Sequence, residues 1–302
     1  MDRSGVVLSC TGGVYRVRLD DEILETTLRG RFKQERASRV LVGDRVVVRE
    51  HADGGATIEE LLPRQSVLKR RTPGKSRGVR NVAANVDRIV VVGAARHPDW
   101  DAHLIDRFVV VAEVNGLATT VVVNKCDLVD DPELLAAPYA GAGYPVVLTS
   151  VPERRNLEAL RGLLEGQVSL FTGPTGVGKS SLLNALQPGL ELRTGSVSRK
   201  SHGGRHTTVA AEMHFIGQCG YVVDTPGLRD VGLWGVEPLE VALAFPEFGA
   251  HAQRCRFDNC RHMDEPDCAV VEAVSDGEIA ESRLASYRCL LEEALQAARQ
   301  WN

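Results

Sequence analysis

The stretch SLFTGPTGVGKSS, residues 169–181, constrains this chain more than any other. An apolar run enters GPTGVGKS and the amphipathic KSSLLNAL follows it, giving the strand, glycine-rich loop and helix of a phosphate-binding site. Backbone N–H groups at the start of such a helix hold phosphate oxygens. Gly173 and Gly178 stand where a side chain would block a backbone wrapped round an anion. The expected cradle is Gly173, Pro174, Thr175, Gly176, Val177, Gly178, Lys179, Ser180 and Ser181, with Lys179 reaching the β- and γ-phosphates and Ser180 holding Mg²⁺.

A phosphate loop does not choose a base. The choice falls to VVVNKCDLVD, where Asn124, Lys125 and Asp127 follow a run of valines. A carboxylate at 127 can accept both N–H groups on the Watson–Crick edge of guanine, whereas adenine presents an acceptor there. A buried acceptor left unpaired rejects the wrong ligand by roughly 10⁴-fold. Lys125 is expected to pack over the nucleotide and the loop, and Ser150 in LTS is a weaker candidate for a backbone contact to the base. In YVVDTPG, Asp224 at a strand end can order Mg²⁺ through water, and the Gly227 N–H can meet the γ-phosphate. In SHGGRHTTV, either Thr207 or Thr208 can complete the Mg²⁺ shell. Leu228 occupies the place of the water-positioning Gln of many GTPases and can neither orient water nor stabilise charge. Intrinsic hydrolysis should therefore be slow, with His206, Thr208 or a partner supplying the missing group, although His206 can equally serve only to order its loop.

The flanks differ in grammar. Residues 1–68 read as short strands, with Tyr15, Val17 and Leu19 alternating with Arg16 and Arg18, and predict a small OB-like or SH3-like β-barrel, either a structural domain with a polar outer face or, as the outward basic residues favour, an RNA-binding one. Residues 69–80, KRRTPGKSRGVR, carry six basic side chains and no acidic one, and read as a flexible linker able to bind polyanions. The net charge of −4 hides this asymmetry: residues 1–80 hold seventeen Lys and Arg against eleven Asp and Glu. Residues 81–235 alternate Val-rich strands with amphipathic helices and predict a parallel α/β domain. Residues 236–302 are expected to form a zinc-binding and helical C-terminal domain, with a tail stripe of Ile279, Leu284, Tyr287, Leu291 and Leu295 that suits simple packing.

Seven cysteines without a secretory signal argue for a reducing, cytoplasmic setting, and no apolar run approaches the roughly 18 residues of a membrane span. Three of the seven fall in CRFDNCRHMDEPDC. Cys255, Cys260, His262 and Cys268 make a C-x4-C-x-H-x5-C set, a closed tetrahedral shell for one structural Zn²⁺. Arg254, Arg256 and Arg261 interleave with these ligands and are placed to touch a phosphate backbone.

Together NVAANVDRIVVV, LIDRFVVVAE, NKCDLV, GPTGVGKSSLLNAL, GGRHTT, DTPGLRDVGLW and the cysteine/histidine set resemble, in this order, the bacterial ribosome small-subunit-dependent GTPase A family. The resemblance runs from about residue 5 to residue 297. It implies a circularly permuted GTPase, in which the base-reading half precedes the phosphate loop. Such a permutation is tolerable because domain termini often lie close together. It also implies an N-terminal OB-fold, a zinc domain, a monomer, and a role late in assembly of the small ribosomal subunit, which binds the protein through its rRNA and stimulates hydrolysis. LTS replaces the more usual Ser-Ala near the base, and Cys126 fills a position commonly held by another small residue. The competing expectation is an RNA-binding assembly scaffold in which GTP is bound but hydrolysis is incidental.

Overall fold

The computed structural model describes residues 2–29, 40–52, 54–71, 79–190, 192, 211–217, 220–224 and 236–299, with the backbone alone for residues 70, 71, 79, 80 and 224. The chain divides into two compact units, one of residues 1–87, 164–170 and 198–228, the other of residues 88–163, 171–197 and 229–302.

The first unit is built on five strands: β1 (Asp2–Thr11), β2 (Val14–Leu19), β3 (Glu22–Leu28), β4 (Arg45–Glu50) and β5 (Ala56–Leu61). β1, β2 and β3 form an antiparallel meander, β3 runs parallel to β5, and β4 pairs with both β5 and β1. That circuit closes the barrel expected from the sequence, and closure removes open edges. The period-2 pattern decides what lies inside. Tyr15, Val17 and Leu19 are buried with Val7, Val46, Val48 and Ile58, while Arg16 faces out. Each fully buried aliphatic side chain contributes about 1.5–3 kcal/mol.

The basic stretch differs from the linker read in the sequence. Its two ends lie in an antiparallel ribbon of β6 (Val67–Arg71) and β7 (Val79–Ala84), in register Val67↔Ala84 to Arg71↔Val79; residues 72–78 are outside the described residues. Leu68, Ala83 and Ala84 are buried, which gives the ribbon an apolar face that the six cations mask in a composition count. Its base is fastened to the barrel. Arg64 makes a two-pronged bond to the buried Asp44, Asn85 donates to the Gly43 carbonyl, and the Ala84 N–H donates to the Val42 carbonyl. This unit also holds β12 (Glu212–Ile216) and β13 (Gly220–Asp224), antiparallel to each other, and residues 168–170 of β11 (Val168–Thr172), which run parallel to β13.

The second unit contains three parallel strands, β8 (Arg88–Ala94), β9 (Ala118–Asn124) and β10 (Val146–Thr149), with β9 in the middle. The valines of β8 and β9 are buried in unbroken runs, the signature of a sheet covered on both faces, while β10 alternates between buried and half-buried positions. Between them run α1 (Ala102–Val114), whose N-cap Asp101 accepts from the Leu104 N–H, and α2 (Glu133–Gly141); α3 (Leu157–Leu164) follows β10, and α4 (Lys179–Leu186) follows the phosphate loop. The C-terminal segment adds α5 (Pro238–Leu243), α6 (Gly249–Ala252), α7 (Ala269–Ser275) and α8 (Glu281–Arg299). Val110 of α1 shares one core with Phe245, Phe248, Val270, Leu284, Tyr287, Leu290 and Leu291, so the tail stripe packs inward, with Leu295 partly buried at its end. Among the described residues no helix is long and apolar enough to cross a membrane.

Candidate nucleotide site and metal centre

β11 delivers the chain into the glycine-rich loop. Gly173 adopts φ 134°, and a Cβ there would stand 2.0 Å from the Val92 carbonyl oxygen, so only glycine lets the loop leave the strand beside β8. Thr175 and Gly176 form the exposed rim, and Val177 is buried beneath it. Pro174 is half-buried and its carbonyl, like that of Gly173, accepts from Lys179 Nζ at 2.7 Å. Ser180 and Ser181 follow in the first turn of α4, where N–H groups without intrahelical partners favour an anion.

Two of the three residues expected to read the base, Asn124 and Lys125, lie against this loop. Asn124, at the end of β9, is 2% exposed; its Nδ2 donates to the Val177 carbonyl at 2.8 Å and its Oδ1 accepts from Thr149 Oγ1 at 3.0 Å. The amide thereby ties the phosphate loop to β9 and β10. Gly178, at φ 96°, admits it, since a Cβ would come within 2.5 Å of that Nδ2. Lys125 is left-handed at φ 57°, and its Nζ donates to the Gly176 carbonyl at 2.8 Å and to the His97 carbonyl. Burial pulls its pKa below the ordinary lysine value, opposed by Asp127 nearby. Asp127 is exposed at the start of a short 3-10 turn, its carboxylate presented to solvent. Ser150 is fully buried, and its hydroxyl accepts from the Glu153 N–H at 3.2 Å. Asp224 ends β13, one residue beyond the Val223 that pairs with Leu170. His206, Thr207, Thr208, Gly227 and Leu228 lie outside the described residues.

The turn 95–101 has no signature in the sequence. His97 contributes through a carbonyl, which any residue could supply, and it is Thr149, not the neighbouring Ser150, that bonds to Asn124.

Cys255, Cys260, His262 and Cys268 converge, their ligand atoms all within 4.8 Å of one another. His262 Nδ1 lies 3.7, 3.5 and 3.3 Å from the three sulfurs. A tetrahedron with metal bonds of about 2.0–2.3 Å has edges of roughly 3.5 Å, so the set fits a closed metal shell. Burial lowers the His262 pKa and favours the neutral ring that a metal needs. In the absence of a cation, burial beside the other thiols pushes Cys260 up to about 12. The cluster is braced from α8. Tyr287 donates to the Arg261 carbonyl at 2.9 Å, and Arg288 donates to the His262 carbonyl at 3.0 Å.

Comparison with known families matches residues 61–234 to the RsgA GTPase and residues 4–58 to the RsgA N-terminal domain. A Gemmatimonas aurantiaca protein named small ribosomal subunit biogenesis GTPase RsgA is 48% identical over 300 residues, covering 97% of each chain. The chain belongs to the RsgA GTPase family. A second relative of the same name, from Thermotoga maritima, is 39% identical over 97% of each chain. The RsgA family fold is matched in solved structures by YjeQ from Thermotoga maritima, with TM-score 0.80 and 37% identity over 98% of this chain and 99% of that one. It is also matched by YloQ, a circularly permuted GTPase, with TM-score 0.76 and 29% identity over 98% and 96%. As an RsgA GTPase, the chain is a GTP hydrolase with a permuted domain. The Asn124–Val177 and Lys125–Gly176 bonds join segments from the two reordered halves.

Proposed function

We propose that this chain hydrolyses GTP while bound to the small ribosomal subunit, and that its nucleotide state sets its hold on that subunit during late assembly. The observation that carries the proposal is the Asn124–Val177 bond, which joins a guanine-reading motif to a phosphate loop in a chain 48% identical to a small ribosomal subunit biogenesis GTPase.

In this reading Gly173 to Ser181 cradle the phosphates and Lys179 moves from the loop carbonyls to the β- and γ-oxygens. Ser180, with Thr207 or Thr208 and with Asp224 through water, would hold a Mg²⁺, which would neutralise charge developing on the phosphates. Asp127 accepts from guanine, Lys125 covers it, and the Gly227 N–H senses the γ-phosphate. His206 or Thr208 stands in for the Gln absent at 228. Three thiolates and an imidazole suit one structural Zn²⁺ with no open position. The functional parts are the barrel at 1–68, the basic segment at 69–80, the permuted GTPase at 81–235 and the zinc and helical region at 236–302. They act in the cytoplasm as a monomer, with the barrel and the basic ribbon engaging rRNA phosphates.

Purified protein should turn over GTP and not ATP, slowly alone and at least tenfold faster with isolated small subunits at a stated salt concentration. A GTP analogue should also bind it to the subunit at least tenfold more tightly than GDP does, because equal affinity shifts no equilibrium. Equal affinity, or no stimulation despite tight GTP binding, would leave a scaffold with incidental hydrolysis. Stripping the metal with a chelator should lower the melting midpoint by roughly 10 °C, with recovery on adding Zn²⁺. A midpoint indifferent to chelation would remove the structural role.

A further inference from the structure

The C-terminal helix carries a charge that phosphate and guanine chemistry do not use. Arg283 on α8 is 1% exposed; its guanidinium donates to Asp106 on α1 and to the two Glu247 oxygens at 2.6 and 3.3 Å. It also lies 4.5 Å from the Phe245 ring centre and 5.5 Å from that of Tyr139. A buried ion cluster of this kind gives little net stability over a well-packed apolar filling; what it does fix is geometry.

We propose that Arg283 is a positioning residue for the nucleotide site, acting through α1 and Tyr139 on the turn 95–101 that holds Lys125. The inference rests on the reading that Lys125 covers the nucleotide. Each link is a direct contact. Arg283 grips Asp106 in the second turn of α1, and the Tyr139 ring beside it donates through its hydroxyl to the Ala102 carbonyl at the first residue of α1, at 3.4 Å. Tyr139 meets Trp100 edge-on, 5.8 Å between centres. Trp100 sits so close over β8 that a Cβ on Gly93 would be 2.3 Å from the indole. From this seat the turn offers the His97 carbonyl to Lys125, and Pro98 reaches within 3.5 Å of a Cβ built on Gly176. Both ends of the turn are thus held, one by Trp100 and α1, the other by Lys125 and the loop.

Because Arg283 touches neither nucleotide nor reacting atoms, its loss should act on binding. In the full chain, with Trp234→Phe and Trp301→Phe leaving Trp100 as the one tryptophan, Arg283→Met should raise the Kd for Mg–GDP and the KM for GTP about tenfold. Subunit-stimulated kcat should stay within about twofold, and Trp100 emission should move to longer wavelength as its seat loosens. Arg283→Lys, which keeps the charge and loses the fork, should recover part of the affinity. A folded Arg283→Met protein with unchanged Kd and unchanged Trp100 emission overturns the proposal, however far its melting point falls. Should that variant fail to fold, Tyr139→Phe carries the test, with an expected rise in Kd of about threefold. Unchanged Kd there overturns the proposal equally. A parent chain unable to bind GDP would overturn the nucleotide reading itself, and the inference with it.

Discussion

Replacing Lys179 with alanine is expected to lower subunit-stimulated GTP turnover by about two to three orders of magnitude, the usual cost of removing one preorganised donor to developing charge. The ammonium is held by the Gly173 and Pro174 carbonyls, each at 2.7 Å, and in the proposed mechanism would give up those two bonds for phosphate oxygens. Cleavage of the β–γ bond concentrates negative charge on the departing diphosphate, so the cation gains more from the transition state than from bound GTP. The fold has little stake in it. Lys179 is half-buried at a helix start, and its removal uncovers two carbonyls that water can satisfy. Steady-state phosphate release with and without small subunits, beside a thermal melt, checks this. Turnover within tenfold of the parent, at an unchanged melting point, would mean that Lys179 is not where the charge develops. Release from the subunit unaffected by the loss of turnover would in turn favour the scaffold reading over an enzyme whose hydrolysis matters.

The second large effect concerns the base. Asp127→Asn should weaken GTP binding by about 10³-fold and strengthen binding of xanthosine triphosphate. Guanine offers two donors on the edge a carboxylate reads, and an asparagine amide would set its own N–H against the 2-amino group. Xanthine carries a carbonyl at that position and accepts the amide instead. The substitution is nearly isosteric on an exposed side chain, so packing is untouched. Asn124 is the useful contrast. Its amide is consumed by Val177 and Thr149, and changing it would loosen loop and strands together without inverting base preference. Competition of GTP and xanthosine triphosphate for a fluorescent GDP analogue distinguishes the two, and an Asp127→Asn protein that still preferred GTP would place the base elsewhere.

These sites were legible in the sequence where their chemistry is local. GPTGVGKS spells out a backbone path, since Gly173 and Gly178 are required by contacts of 2.0 and 2.5 Å, and the alternation of Tyr15, Val17 and Leu19 sets the barrel interior two residues at a time. The cysteine and histidine ligands were legible for a similar reason, being chemically rare and closely spaced. What stayed hidden depends on distance along the chain or on groups without a side-chain signature. Asn124 and Val177 are 53 positions apart, and Val177 takes part only through its carbonyl, as does His97. The ribbon of β6 and β7 was hidden differently. Six cations dominate the stretch, while Leu68, Ala83 and Ala84, which bury its inner face, are too few to stand out.

Asp106 and Arg283 lie 177 residues apart. At about 5–20 residues per second, the ribosome makes the carboxylate of α1 roughly 10–35 seconds before the guanidinium that neutralises it. During that interval the phosphate loop and guanine motif have both been translated, yet α1 holds a charge it cannot bury and its core lacks α8. A chain cut short before position 283 therefore carries the letters of a nucleotide site on an unfinished core. The helix α8 thus brings to α1 both the cation that pairs with Asp106 and the apolar stripe that shares a core with Val110.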